Sequence, residues 1–230
     1  MQAVILAAGR GTRMGELTSA VPKPMLTVHG RPVLEHIIDA LPVECDEVIL
    51  IVGYLQEKIR EHFGTEYKGR KIFYREQTVL DGTGGALWCV KDLLHDKFLV
   101  MNGDDICSAE DMRACAESAD WAVLALHVDD VGSGGLVVVD ERMCVTDILE
   151  KEAHTGGPGY VNPANFFLLD MRIFSYDPVY RPGSTTEFGL PQTVVQARHD
   201  IPIHVVEAHI IVRLTEPEDI QKAEAIIAAQ

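Results

Sequence analysis

The chain is short of positive charge: 20 lysines and arginines stand against 35 aspartates and glutamates, a formal net charge of −15 over 230 residues. A surface of that sign repels phosphate backbones at long range, so nucleic acid is not expected as a partner. Its five cysteines, Cys45, Cys89, Cys107, Cys115 and Cys144, are odd in number and show no C-x-x-C spacing. That pattern argues against a disulfide framework and a zinc site, and for reduced thiols in a cytoplasmic protein. Long hydrophobic runs are also missing. The first, residues 3–8, has no basic stretch before it and breaks at Gly9, too short for a signal segment or a membrane span. Repeats and biased tracts are lacking as well, and the 47% apolar content supports one sizeable folded core.

What is present is an alternation of strands and helices. Residues 4–8, and residues 48–52 of the segment Glu47–Val52, are continuous apolar runs ended by glycine, as buried strands of a parallel sheet are. Val33, Leu34, Ile37, Ile38 and Leu41 recur at helical spacing, as do Leu55, Ile59 and Phe63. Further strands are expected at 71–74 and 98–101, with a helix at 84–94 between them. After Trp121 strands dominate, at 122–128, Leu136–Val139, Val145–Leu149, 166–169, 203–206 and 210–214, with helices at 187–198 and 216–229. The expected fold is α/β, a Rossmann-like, mostly parallel mixed sheet flanked by helices. No linker interrupts the chain, so residues 1–230 are read as one domain of two halves, 1–120 and 121–230.

The first strand runs directly into Gly9-Arg10-Gly11-Thr12-Arg13-Met14-Gly15. Ligands of such sheets bind beyond the carboxyl ends of the strands, where glycines let backbone N–H groups approach phosphate oxygens. Arg10, Arg13 and Lys23 lie here, and Glu16 is the single acid among residues 1–23. A phosphate site accounts for this local basic excess better than a solvated turn does. A dinucleotide fold is disfavoured, because Met14 replaces the third glycine of its fingerprint and Gly53 stands where a ribose-binding acid belongs. No Walker A pattern is present.

These residues resemble the signature of the sugar-1-phosphate nucleotidyltransferases. Leu6 to Met14, then Val21-Pro22-Lys23-Pro24-Met25, match in order, followed by Leu80-Asp81-Gly82-Thr83-Gly84-Gly85, Asn102-Gly103-Asp104-Asp105 and Leu149-Glu150-Lys151. The resemblance implies transfer of a nucleotidyl group from an NTP to a sugar 1-phosphate, with release of pyrophosphate and with Mg²⁺ as cofactor. Leu6, Ala8, Gly9, Gly11, Thr12, Gly82 and Thr83 would then hold the nucleotide. Arg13 would neutralise the leaving pyrophosphate, Lys23 would bridge the α-phosphate and the incoming phosphate, and Asp104 would be the Mg²⁺ ligand. Gln77 occupies the base-reading place: an amide accepts from N3–H and donates to O4 of uracil or thymine, which favours UTP or dTTP over GTP.

On the acceptor side the resemblance assigns Glu150 and Asn162 to sugar hydroxyls, Lys151 to the phosphate and Glu187 to the pocket rim. Pro163 departs from the family's Asn-Ala-Gly turn. A larger departure is Arg213, which stands where the family carries a second metal-binding aspartate, ahead of the retained Pro217-Glu218-Asp219. Arginine cannot bind Mg²⁺ but can contact a phosphate, as a basic residue does at the similar ending of methylerythritol cytidylyltransferases. Two other functions stay open at this point: a cytidylyltransferase for a non-sugar phosphate, and an inactive nucleotide-sugar-binding regulator. The apolar strands of the second half either cover the core or form a homodimer interface.

Overall fold

The computed structural model describes residues 1–132, 135–150 and 153–228. Strand β1 (Gln2–Ala7) leads into the glycine loop, a short hairpin β2 (Thr27–Val28) and β3 (Arg31–Pro32), and helix α1 (Val33–Ala40). Then come β4 (Glu47–Val52), α2 (Gln56–Phe63), β5 (Glu66–Tyr67), β6 (Arg70–Glu76), α3 (Gly82–Trp88), β7 (Lys97–Asn102), β8 (Asp105–Cys107) and α4 (Ala109–Ala116). The second half adds β9 (Trp121–Val128), β10 (Leu136–Val139), β11 (Val145–Leu149), β12 (Gly159–Val161), β13 (Phe167–Asp170), α5 (Leu190–Val194), β14 (Ile203–Glu207), β15 (Ile211–Arg213) and α6 (Asp219–Ala228).

The main sheet has the order β11-β10-β12-β9-β13-β7-β1-β4-β6-β5, with β14 also on β9. Strands β7, β1, β4 and β6 pair in parallel, and β13 joins β7 antiparallel. Alternation along β1 explains why both faces are covered: Ala3, Ile5 and Ala7 pack with α1, α2, α4 and α6, while Val4 and Ala8 pack with α3 and α5. Each fully buried Ile, Leu or Phe in these two layers contributes about 1.5–3 kcal/mol.

Two expected helices are shorter than their patterns. Residues 89–93 leave α3 as tight turns, with Val90 N–H donating to Leu87 and Leu93 N–H to Val90. The helix expected at 187–198 begins at Leu190 and tightens to a 3-10 turn at Val195–His199, because residues 179–189 are drawn into a hairpin. Helix α4 is capped by the Ser108 side chain, which accepts from Asp111 N–H at 3.0 Å. Gly53 is required by close approach: a Cβ there would stand 2.8 Å from the Ala8 carbonyl oxygen. Among the described residues no helix is long and apolar enough to cross a membrane.

Candidate active site

Two adjoining chambers open at the carboxyl edge of β1 and β7. The first encloses about 520 Å³ and the second about 950 Å³. Arg13, Thr83, Asn102, Asn165, Arg181 and Thr215 line both and so form their common wall. Leu6, Ala8, Gly9, Gly11, Thr12, Lys23, Gln77, Gly82 and Asp104 line the first chamber.

Gly11 adopts a left-handed conformation (φ 63°, ψ 38°), and a Cβ there would lie 2.8 Å from Lys23 Cβ. Glycine is therefore needed both for the turn and to let Lys23 pass. Among the described residues the N–H groups of Gly9, Arg10 and Gly11 have no protein acceptor, leaving them for an anion. Thr18 Oγ1 staples the loop by donating to Gly11 O at 3.1 Å. Lys23 is buried, and its ammonium is ion-paired with Asp104. Arg13 is exposed and makes no ion pair within the described residues, whereas Arg10 stacks on the Tyr54 ring, 5.5 Å from its centroid, and lines neither chamber.

Gln77 is a buried side chain rather than a surface amide. Its Nε2 donates to Asp81 Oδ1 at 3.0 Å and to Gly82 O at 3.1 Å. Both amide protons are thereby taken, and Oε1 is left as the acceptor. The expected donation to O4 of a pyrimidine is not available from this rotamer, so any base reading by Gln77 works through acceptance. Gly82 (φ 91°) abuts Phe188, whose nitrogen would lie 2.9 Å from an added Cβ. Gly84 N–H donates to Phe188 O at 2.9 Å, and Phe188 N–H donates to Asp81 O at 2.6 Å. Thr83 Oγ1 accepts from Leu190 N–H at 3.0 Å, tying α5 to α3.

In the second chamber Glu150 accepts from Gln192 Nε2 at 2.7 Å. Asn162 lines this chamber too, but its Oδ1 accepts from Phe166 N–H at 3.0 Å, so it pins its own turn. Glu187 lines the first chamber instead of the second, 3.5 Å from Arg181. Lys151 lies outside the described residues. Strand β15 pairs with β8 so that Arg213 lies opposite Asp105, with Arg213 Nε 3.9 Å from Asp105 Oδ1. Asp105 is buried and accepts from Asn102 Nδ2 at 3.0 Å. Burial first, and neighbouring Asp104 second, push its carboxyl up to about 7. Neither aspartate caps α4, which Ser108 does. Asn165, Arg181 and Gln192 were not singled out from the sequence, and Asn102 entered only as part of the Asn102-Gly103-Asp104-Asp105 stretch, with no role. Asn102, Arg181 and Gln192 are polar residues next to a glycine or proline, a signal that loops share generally, and Asn165 lacks even that.

The described residues include no group of three or more His, Cys, Asp or Glu side chains able to hold a metal. The Asp104 carboxylate on the first chamber, already ion-paired with Lys23, suits an ion that arrives with phosphate oxygens and not one caged by the protein.

Residues 2–187 match the family model described as nucleotidyl transferase. The chain is 32% identical over 201 residues to the UTP–glucose-1-phosphate uridylyltransferase AglF of Haloferax volcanii, covering 84% of this chain and 82% of that one. It is 36% identical over 174 residues to the bifunctional protein GlmU of Methanocaldococcus jannaschii, covering 76% of this chain but 41% of that longer protein. Among solved structures, a putative glucose-1-phosphate thymidylyltransferase of Bacillus anthracis superposes with a TM-score of 0.83 at 22% identity, over 98% of this chain and 94% of that one. The chain belongs to the nucleotidyl transferase family, and its fold is the expected α/β one.

Proposed function

We propose that this nucleotidyltransferase joins an NTP and a sugar 1-phosphate into an NDP-sugar, with the first chamber for the nucleotide and the second for the acceptor. On this reading residues 1–120 supply most of the nucleotide side and 121–230 most of the acceptor side of one domain. The observation that carries it is the common wall: Arg13 faces both chambers, and the Lys23–Asp104 pair sits beside it.

An acceptor phosphate oxygen attacks the α-phosphorus in line, the α–β phosphoanhydride bond breaks, and pyrophosphate leaves. The protein's work is positioning and charge neutralisation. The unpaired N–H groups of Gly9 and Gly11 hold the triphosphate, Arg13 faces the leaving pyrophosphate, and Lys23 spans the α-phosphate and the attacking phosphate. Asp104 would hold Mg²⁺ together with the nucleotide, which supplies further neutralisation of the phosphates. Gln77 Oε1 accepts from N3–H of the base, and uracil is the first choice because the Haloferax relative is named for UTP. Arg213 favours a second reading, a cytidylyltransferase for a polyol phosphate.

Thermal unfolding with UTP, dTTP, CTP and GTP in the presence of Mg²⁺ tests the reading. A ligand at 100 times its Kd adds about 2.7 kcal/mol, or about 5–11 °C for a domain of this size. UTP or dTTP is expected to give the largest shift. CTP in first place selects the second reading, and no shift with any NTP refutes both.

A further inference from the structure

Gln192 stands in the first turn of α5, lines the second chamber, and is 8% exposed. Its carboxamide is held from both ends. Nε2 donates to Glu150 Oε1 at 2.7 Å, while Oε1 lies against Gly189, where an added Cβ would collide with it. That oxygen is buried and has no hydrogen-bond partner among the described residues. An orphan buried carbonyl is unfavourable, and an apolar side chain of the same length would fill the space without it. Folding alone therefore does not explain an amide here. Its one satisfied bond does point to a use: among the described residues Gln192 is the sole side-chain partner of Glu150. Because that partner is neutral, the carboxylate is fixed in direction yet keeps its full charge toward the chamber.

We propose that Gln192 is a positioning residue that orients Glu150 toward a hydrogen-bond donor of the acceptor, a hydroxyl or an amino group, and so sets acceptor affinity. This rests on the assignment of the second chamber to the acceptor.

Initial rates at saturating UTP with Mg²⁺ test it, with glucose 1-phosphate, N-acetylglucosamine 1-phosphate and phosphocholine as acceptors. Gln192→Met keeps the length and removes the donor. It is expected to raise the acceptor KM about tenfold or more, to leave the KM for UTP within twofold, and to keep or raise the unfolding midpoint. Gln192→Glu replaces the donor by a second carboxylate and is expected to lose at least as much acceptor affinity. Glu150→Gln separates the failures. If Glu150→Gln raises the acceptor KM while both Gln192 variants leave it unchanged, the positioning role is overturned and the chamber assignment stands. If Glu150→Gln leaves the acceptor KM unchanged, or no acceptor turns over, the chamber assignment itself falls. A Gln192→Met variant that melts early and loses UTP and acceptor affinity alike shows a structural role and overturns the proposal.

Discussion

Replacing Gln77 by Glu alters a single atom pair and ought to make the protein's stability depend on pH. The parent amide gives its two protons to Asp81 Oδ1 at 3.0 Å and Gly82 O at 3.1 Å. In Gln77→Glu both donors vanish, and an introduced carboxylate faces the Asp81 carboxylate at the same separation. Coulomb's law at an effective dielectric of about 20 gives roughly 5 kcal/mol of repulsion at 3 Å. The lost bonds add about 1–3 kcal/mol. Relaxation and proton uptake reduce the sum, so a loss of roughly 3–5 kcal/mol is expected at pH 8. The introduced group's folded-state pKa lies above its unfolded value of about 4.3. The deficit is accordingly small below pH 4.3, where a protonated carboxyl again donates to Asp81. It grows by about 1.4 kcal/mol per pH unit as pH rises, until the folded-state pKa is passed. Urea unfolding of parent and variant at pH 5 and pH 8 measures this directly. UTP affinity should fall along with stability, because an ionised carboxylate against Asp81 displaces the α3 entrance. An equal deficit at both pH values would refute the arrangement drawn around Gln77.

Lys23→Ala and Arg13→Ala should each lower kcat by two or more orders of magnitude while the circular dichroism spectrum is kept; near-normal turnover at saturating substrate removes those residues from the phosphate-transfer role. Arg213→Asp should tighten Mg²⁺ binding to the free protein and weaken sugar-phosphate binding, opposite effects that calorimetry reads separately; no change in either means that Arg213 acts on Asp105 alone. His209 Nδ1 lies 2.6 Å from the buried Asp111 carboxylate, which raises the imidazole pKa above 6.5. The stabilisation it brings is complete below that value and is lost as pH rises through the folded-state pKa. His209→Gln should therefore flatten the stability profile on the alkaline side, and an unchanged slope in chemical denaturation would sink this assignment.

The first half of the fold was legible because its signals are local. Residues 4–8 are apolar on both faces, the glycine loop follows at once, and Asp104 lies two residues past the end of β7 on the same edge. Helix α4 also had a readable start, Ser108 ahead of Glu110 and Asp111, which the weak apolar spacing after it obscured. The second chamber was less legible because its contacts join distant segments. Gln192 reaches Glu150, and Asn165 Nδ2 reaches Asn102 Oδ1 at 3.1 Å, pairings that no periodicity announces. Glu187 was placed on the acceptor side by its motif. The hairpin that carries it turns toward α3 and leaves it lining the first chamber. Arg213 was legible as a departure, whereas its partner Asp105 followed only from the β8–β15 register.

The seat that Gly82 and Gly84 offer to the Phe188 main chain has a consequence for how this enzyme can diversify. The hairpin ending at Phe188 carries Arg181 and Glu187, so it shapes the wall between the chambers while resting on the helix that bounds the first. A graft that swaps this hairpin for another moves the seat, and on the chamber assignment proposed above the damage is expected as poorer nucleotide affinity rather than altered acceptor choice. Recombination or engineering that aims at new acceptors must carry residues 81–84 and 179–189 together as one cassette. Point changes deeper in the second chamber leave that joint untouched.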